Sequence, residues 1–450
     1  MKKLQYSFLI PSLLLLSLLS EKAYGVPGFA RQTGLECMMC HTQNQSKLNS
    51  FGRHFARSAY TLSTESGAQS LIDGEHLGLG IPMVLNMSMM LKARYDKSSG
   101  AVNGKGIVLK SSLSGENVES NRGLAEIFKA STLNVAGRVA NNIGTIIEFR
   151  EKEGKAIFGG KIATAFETGA GYSGLVVFST NNYGPFSGIE GYNTGLYKAL
   201  RQFENHKLTN AIQASDLGSG PATGLQLYYG GDNLFLTLGA YVPAHNSDGI
   251  DIGSSLIPFA RIAYEQTLGD ITLIFGAYGM YGHATASNTS YDPSLIGTQT
   301  PSALVEISKR SYGFDFQAEG DILEYSALLT LSAVLKNETT LSDPALMVSI
   351  VDNVYGEPEE GDMEAYSIEF ALNPWTPLSL KIAFLTLDDS GPHTFLEDKI
   401  DVKDKNAYSL GFDYSFRQNI MLSMEYSYVD AKKEGIENYN DLLSVLTISF

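Results

Sequence analysis

Past its first two dozen residues the sequence has no apolar run long enough to cross a bilayer as a helix, so any membrane crossing must be made by strands. It has only two cysteines, which excludes a disulfide-built scaffold. Cations are outnumbered, 33 Lys and Arg against 48 Asp and Glu, for a formal charge of −15. That balance argues against a nucleic-acid partner and is compatible with cationic ligands, although acidic surface loops alone would produce it. No Walker-type phosphate loop, zinc motif or Ser-His-Asp order stands out.

What is present begins with an export signal. Lys2 and Lys3 precede an apolar run from Phe8 to Leu19, and Ala23-Tyr24-Gly25 offers small residues for cleavage. Residues 1–25 are therefore expected to be removed, leaving Val26 as the mature start. The leader carries three lysines and one glutamate, so its loss takes the charge to −17.

From about residue 82 onward, period-two alternation dominates. Tyr408, Leu410, Phe412, Tyr414 and Phe416 share one face, and Ser409, Gly411, Asp413 and Ser415 the other. Tyr312, Phe314 and Phe316 likewise oppose Gly313, Asp315 and Gln317. One apolar and one polar face make a half-buried strand. Charges recurring on the polar face do not suit a packed sandwich core. They suit a barrel with lipid outside and a polar lumen. Sixteen such segments are read, near 84–96, 124–139, 143–150, 156–167, 172–181, 223–229, 234–243, 257–266, 271–283, 310–318, 322–336, 363–372, 376–387, 405–416, 420–430 and 439–450.

The connections alternate in length. Short turns are expected at Ala140–Asn142, Thr168–Gly171, Gly230–Asn233, Thr267–Asp270, Glu319–Asp321, Asn373–Trp375 and Arg417–Asn419. Long connections at 97–123, 182–222, 284–309, 337–362 and 388–404 lie between them, with 151–155 a shorter exception. Short periplasmic turns and long extracellular loops are the habit of bacterial outer-membrane barrels. The expected architecture is all-β: a sixteen-stranded barrel over 82–450 with both termini in the periplasm and outer-membrane lipid around it. Leu446, Ile448 and the terminal Phe450 resemble the closing strand of such proteins.

The two cysteines stand in Cys37-Met38-Met39-Cys40-His41, the spacing for covalent attachment of one c-type haem. The thiols reach the two vinyl groups, and His41 follows as proximal iron ligand. A disulfide or a redox dithiol is the competing reading. A dithiol of the thioredoxin kind would start a helix after a strand in an α/β pattern, which is absent here. The segment 26–81 is too small to bury a haem well alone. Inserting it into the lumen would shield the haem, plug the pore and set the redox centre part-way across an apolar band of ~25 Å.

The sixth ligand is open between His54, thirteen residues beyond His41, the methionines Met83, Met87, Met89 and Met90, and no protein ligand. Met ligation would raise the potential relative to two histidines. Glu357-Pro358-Glu359-Glu360-Gly361-Asp362 and Asp388-Asp389 offer oxygens that suit hard divalent cations, but a solvated loop end explains them more simply. His76, His206, His245, His283 and His393 are scattered and read as loop or lumen residues.

The residues around the haem motif carry a family resemblance. Val26-Pro27-Gly28-Phe29-Ala30-Arg31-Gln32-Thr33-Gly34 leads into it, Thr42 follows, and Phe51-Gly52-Arg53 and Tyr60 come soon after. This stretch resembles the outer-membrane fused monohaem cytochrome–porin family of iron-oxidising bacteria. The match is close over 26–60; over the barrel it rests on architecture alone. The resemblance implies oxidation of extracellular Fe(II), with electrons passed to a periplasmic cytochrome or similar carrier. Two other readings stay open: the same conduit for another small donor or acceptor, such as a sulfur species, or a solute porin with a haem-bearing plug.

Overall fold

The computed structural model describes residues 27–42, 46–62, 86–99, 102–103, 107–108, 123–152, 155–245, 255–287, 304–341, 361–389, 404–417, 419–432 and 438–450. The signal segment, His76, Met83, Glu357 to Glu360 and His393 lie outside the described residues.

Sixteen strands form one closed antiparallel barrel: β1 Met87–Ser98, β2 in two pieces (Leu124–Ile127 and Thr132–Ala140), β3 Ile143–Lys152, β4 in two pieces (Lys155–Thr164 and Phe166–Thr168), β5 Gly171–Thr180, β6 Ala222–Gly230, β7 Leu234–Val242 and β8 Ile257–Leu268. The series continues with β9 Ile271–Ser287, β10 Leu304–Ile322, β11 Tyr325–Leu341, β12 Gly361–Trp375, β13 Leu378–Asp389, β14 Lys405–Arg417, β15 Ile420–Ala431 and β16 Tyr439–Ser449. Each strand pairs with its neighbour in sequence, and β16 returns to β1 from Met90↔Ser449 to Ser98↔Asp441. Phe450 completes the closure: its N–H donates to Met89 O at 2.9 Å and its carbonyl accepts from Met89 N at 2.7 Å. A closed barrel leaves no unpaired edge in lipid.

The pleat sorts side chains as the alternation predicts. On β6 to β8, Leu227, Leu238 and Ile262 point outward, with Leu238 65% exposed. Gln226 and Arg261 between them point inward and are 1% and 2% exposed. Phe314 faces out while Asp315 and Gln317 are buried. An apolar outer band around a charged interior is the build of an outer-membrane barrel.

Three local expectations change. Strand β2 breaks at residues 128–131, where Phe128 and Ala130 take positive φ. Its first piece pairs with the outer half of β1 and its second with the inner half. The turn expected at Glu319–Asp321 lies two residues later. Gly320 and Asp321 still pair with Ala327 and Ser326, and Leu323 and Glu324, both at positive φ, make the reversal. Two central residues at φ > 0 match the twist of a tight hairpin even without glycine. Likewise β12 runs on to Trp375, and the chain reverses at residues 376–377.

The largest correction concerns residues 182–222, expected to be an extracellular loop. They fold back inside the barrel. This lumen loop holds short 3₁₀ turns at Pro185–Ser187 and His206–Leu208 and one helical turn, Ala211–Ala214. Phe186, Ile189, Tyr192, Leu196, Phe203 and Ile212 in it are almost wholly buried. Wall side chains satisfy its backbone. The Glu425 carboxylate accepts from Glu204 N and Asn205 N at 2.6 and 3.0 Å, and Ser332 Oγ donates to Thr194 O at 2.9 Å. Ser367 Oγ accepts from Ala211 N at 2.8 Å. Inward residues such as Thr330, Glu369, Lys381 and Ser427 are consequently shut off from water.

Candidate haem site at the short-turn mouth

Residues 27–62 fill the other end of the lumen, beside the short turns. Helix α1 spans Pro27–Thr33 and α2 spans Ser50–Arg57, with a 3₁₀ turn at Cys37–Met39 between them. Phe29 stacks on Tyr60, centroids 5.2 Å apart, and meets Phe55 edge-on at 5.1 Å. Gln32 is buried and pins three elements. Its Nε2 donates to Tyr60 O at 2.6 Å and Leu62 O at 3.1 Å, and its Oε1 accepts from Arg138 N of β2 at 3.1 Å. Gly34 ends α1 in the left-handed region at φ 67°, with its N–H on Ala30 O at 2.8 Å.

The Cys37–His41 turn is tightly wound. Cys40 N and His41 N both donate to Cys37 O, at 3.1 and 3.0 Å. Asn49 holds it from below: its Nδ2 donates to Met38 O and Met39 O at 3.2 Å, while its Oδ1 caps α2 through Gly52 N at 2.9 Å. Gly52 lets the helix approach this closely. A Cβ there would stand 2.0 Å from Cys40 O. Both thiols are free and half-buried. Burial raises Cys37 and pushes Cys40 up to about 11. A reactive dithiol needs the opposite shift, toward thiolate.

His41 pairs with Leu48 across a tight hairpin. Burial pushes its imidazole down to about 4, so it is neutral at ordinary pH, as an iron ligand must be. Its Nδ1 is sealed from solvent without a hydrogen-bond partner. Beside it lies a cavity of about 450 Å³, bounded by Met38, His41, Lys47 and Phe51 on one side and by Glu319, Leu328 and Asn373 of the wall on the other. Two free thiols and a neutral imidazole in one turn are a donor set that suits a covalent haem, with His41 on the cavity and the two thiols outside its lining. The cavity reaches Asp270 and Ser326, next to the short turns. The site is therefore at the mouth of the barrel, not half-way through it as insertion alone suggested.

His54 is not brought to this cavity. It lies exposed on α2 with its ring 5.5 Å from Tyr172. Met87 faces outward from β1, and neither it, Met89 nor Met90 borders the cavity. Elsewhere, His245 Nδ1 meets Ser179 Oγ at 2.7 Å, His206 Nδ1 meets Glu204 O at 3.1 Å, and His283 is exposed on β9. Asp362 and Asp388 pair with Lys336 and Lys432, each at 2.6 Å. Among the described residues no group of three or more His, Cys, Asp or Glu gathers as a metal site.

Sequence reasoning missed what anchors the segment. Arg53, fully buried, bonds Glu265 at 2.8 Å and Glu319 at 2.7 Å. Arg57 reaches Glu265 at 3.2 Å and Tyr192 Oη of the lumen loop at 2.6 Å. Asn193 of that loop pairs reciprocally with Leu48, accepting from its N–H at 2.8 Å and donating to its carbonyl at 3.0 Å. Glu265 and Glu319 fall on inward strand positions, so their direction was readable; their partners were not.

No protein family matches the chain, and no curated protein does. Solved structures do. The outer-membrane channel DcaP of Acinetobacter baumannii is similar at TM-score 0.50 and 14% identity, covering 81% of this chain and 97% of that one. A loop L8 deletion mutant of OmpT, an outer-membrane protein of Vibrio cholerae, gives 0.48 and 12%, covering 82% and 99%. An anion-selective porin from Comamonas acidovorans gives 0.41 and 9%, covering 81% and 98%. The DcaP likeness shows the porin-type barrel fold.

Proposed function

We propose that this chain carries one haem c, held by thioethers from Cys37 and Cys40 with His41 as proximal ligand, and conducts electrons from extracellular Fe(II) to a periplasmic cytochrome or similar carrier. The observation that carries the reading is His41: a buried, neutral imidazole that borders a cavity and follows two free thiols in one tight turn. Bound there, haem supplies a one-electron Fe(III)/Fe(II) couple. The chain's own residues do the rest. Asn49 and Gly52 hold the motif turn, and Arg53 and Arg57 fasten it to the wall. Met39 and Phe51 stand exposed at the mouth, where a soluble carrier has direct access.

The packed lumen argues against an open solute pore, because many inward side chains of the described strands are buried. The resemblance at residues 26–60 supplies Fe(II) as donor. The acidic balance favours approach of a cation, although salt screens much of that effect. The test is sidedness. Oxidised protein is reconstituted in vesicles with its long-loop face outward, and Fe(II) or a sulfur donor is added outside. Reduction of the haem by external Fe(II) supports the reading. Reduction only after the vesicles are opened overturns the conduit, and reduction by the sulfur donor alone moves the substrate.

A further inference from the structure

We infer that Lys47 is the cation that receives a haem carboxylate, a role that rests on the haem reading above. Lys47 closes the hairpin that follows His41, its carbonyl accepting from Thr42 N at 2.9 Å. Its side chain is 1% exposed and borders the same cavity as His41. Among the described residues its ammonium makes one hydrogen bond, to Thr330 Oγ1 at 3.3 Å. Two carboxylates act on its charge without an ion pair to it: Glu369, which accepts from Asn210 Nδ2 at 2.9 Å, and Glu319, which pairs with Arg53 at 2.7 Å.

An ammonium has three donors, and among the described residues one is used. A buried cation without a bonded anion is unfavourable unless something supplies the anion. Haem carries two propionates, which are carboxylates. The neighbouring cation Arg53 is already bonded to Glu265 and Glu319, so Lys47 is the cavity's available partner. By pairing with a propionate, Lys47 orients the ring against His41. It also cancels negative charge that would otherwise favour the ferric state.

The experiment uses the full-length protein purified in detergent, with Lys47→Met, Lys47→Arg and Thr330→Val beside the wild type. Covalent haem is first measured by peroxidase staining of a denaturing gel, and the midpoint potential is then read by spectroelectrochemistry across pH. Lys47→Met is expected to lower the potential and make it pH-dependent as the freed propionate titrates. Lys47→Arg should restore the wild-type value. Thr330→Val should leave it unchanged, because the propionate still holds the lysine. Full haem content with an unmoved potential in Lys47→Met overturns this role alone, and so does a fall in Thr330→Val. Absence of haem from the wild type overturns the haem reading itself, and this role with it.

Discussion

Two segments share the lumen, and they are held in different ways. The N-terminal segment, residues 27–62, is fastened by buried ion pairs, Arg53 and Arg57 to Glu265 and Glu319. The lumen loop, residues 181–221, makes two ion pairs to the wall, Glu190–Arg261 and Glu204–Lys92, but is fastened mostly by wall side chains bonding its backbone, as Glu425, Ser332 and Ser367 do. The difference follows from their secondary structure. A helix satisfies its own backbone and leaves side chains to make the attachment. An irregular loop must find partners for its N–H and C=O groups in the wall. The helical segment is also the one that carries the Cys37–His41 motif, held in one geometry by Asn49 and Gly52.

The sharpest way to break this contrast is to remove the chemistry and keep the packing. Changing Cys37 and Cys40 together to Ala should abolish the haem-staining band entirely in a host with cytochrome c maturation. The barrel should still show heat-modifiable migration on gels. Retained haem would sink the attachment site.

Gly52→Val is the next largest effect. Its side chain meets Cys40 O, a backbone atom that cannot swing aside. Overpacking of this kind costs about 1–3 kcal/mol or more. Haem incorporation should fall severalfold while the barrel's thermal unfolding stays put. Equal haem content in wild type and variant would show that α2 does not need its close approach to the motif.

On haem content the anchors give the smallest effects, and on closure of the lumen they give the most direct comparison. Arg53→Met leaves Glu265 short of one cation and Glu319, among the described residues, with no ion pair, a loss of about 3–5 kcal/mol for breaking a buried pair. Ser367→Ala removes one hydrogen-bond acceptor of the loop, about 1 kcal/mol. In planar bilayers Arg53→Met should produce frequent opening events and Ser367→Ala few. The reverse order would mean that the loop, not the N-terminal segment, closes the barrel.

Most of the barrel was legible beforehand because a strand facing lipid on one side and a polar lumen on the other must alternate. All sixteen segments carry that period. The deviations fall where the pattern is silent. The tight turn at Leu323–Glu324 lacks glycine, and the break in β2 at Phe128–Ser131 has neither glycine nor proline to mark it. The motif Cys37–His41 was legible because thioether spacing is local chemistry. His54 was proposed from sequence distance alone, and helix α2 turns it outward, toward Tyr172.

By itself the sequence determined the strand number, the long and short connections and the Cys37–His41 spacing, because each rests on neighbours a few residues apart. Only the tertiary structure decided that residues 181–221 enter the lumen. Their composition is that of any long polar connection, and the partners that draw them inward lie on strands as far as 221 residues away, as Glu425 does from Glu204. It also decided the depth of the candidate site and the pairing of Arg53 with Glu265 and Glu319. Ion pairs between distant segments leave no local trace; they exist only once the barrel has closed and turned those carboxylates toward one another.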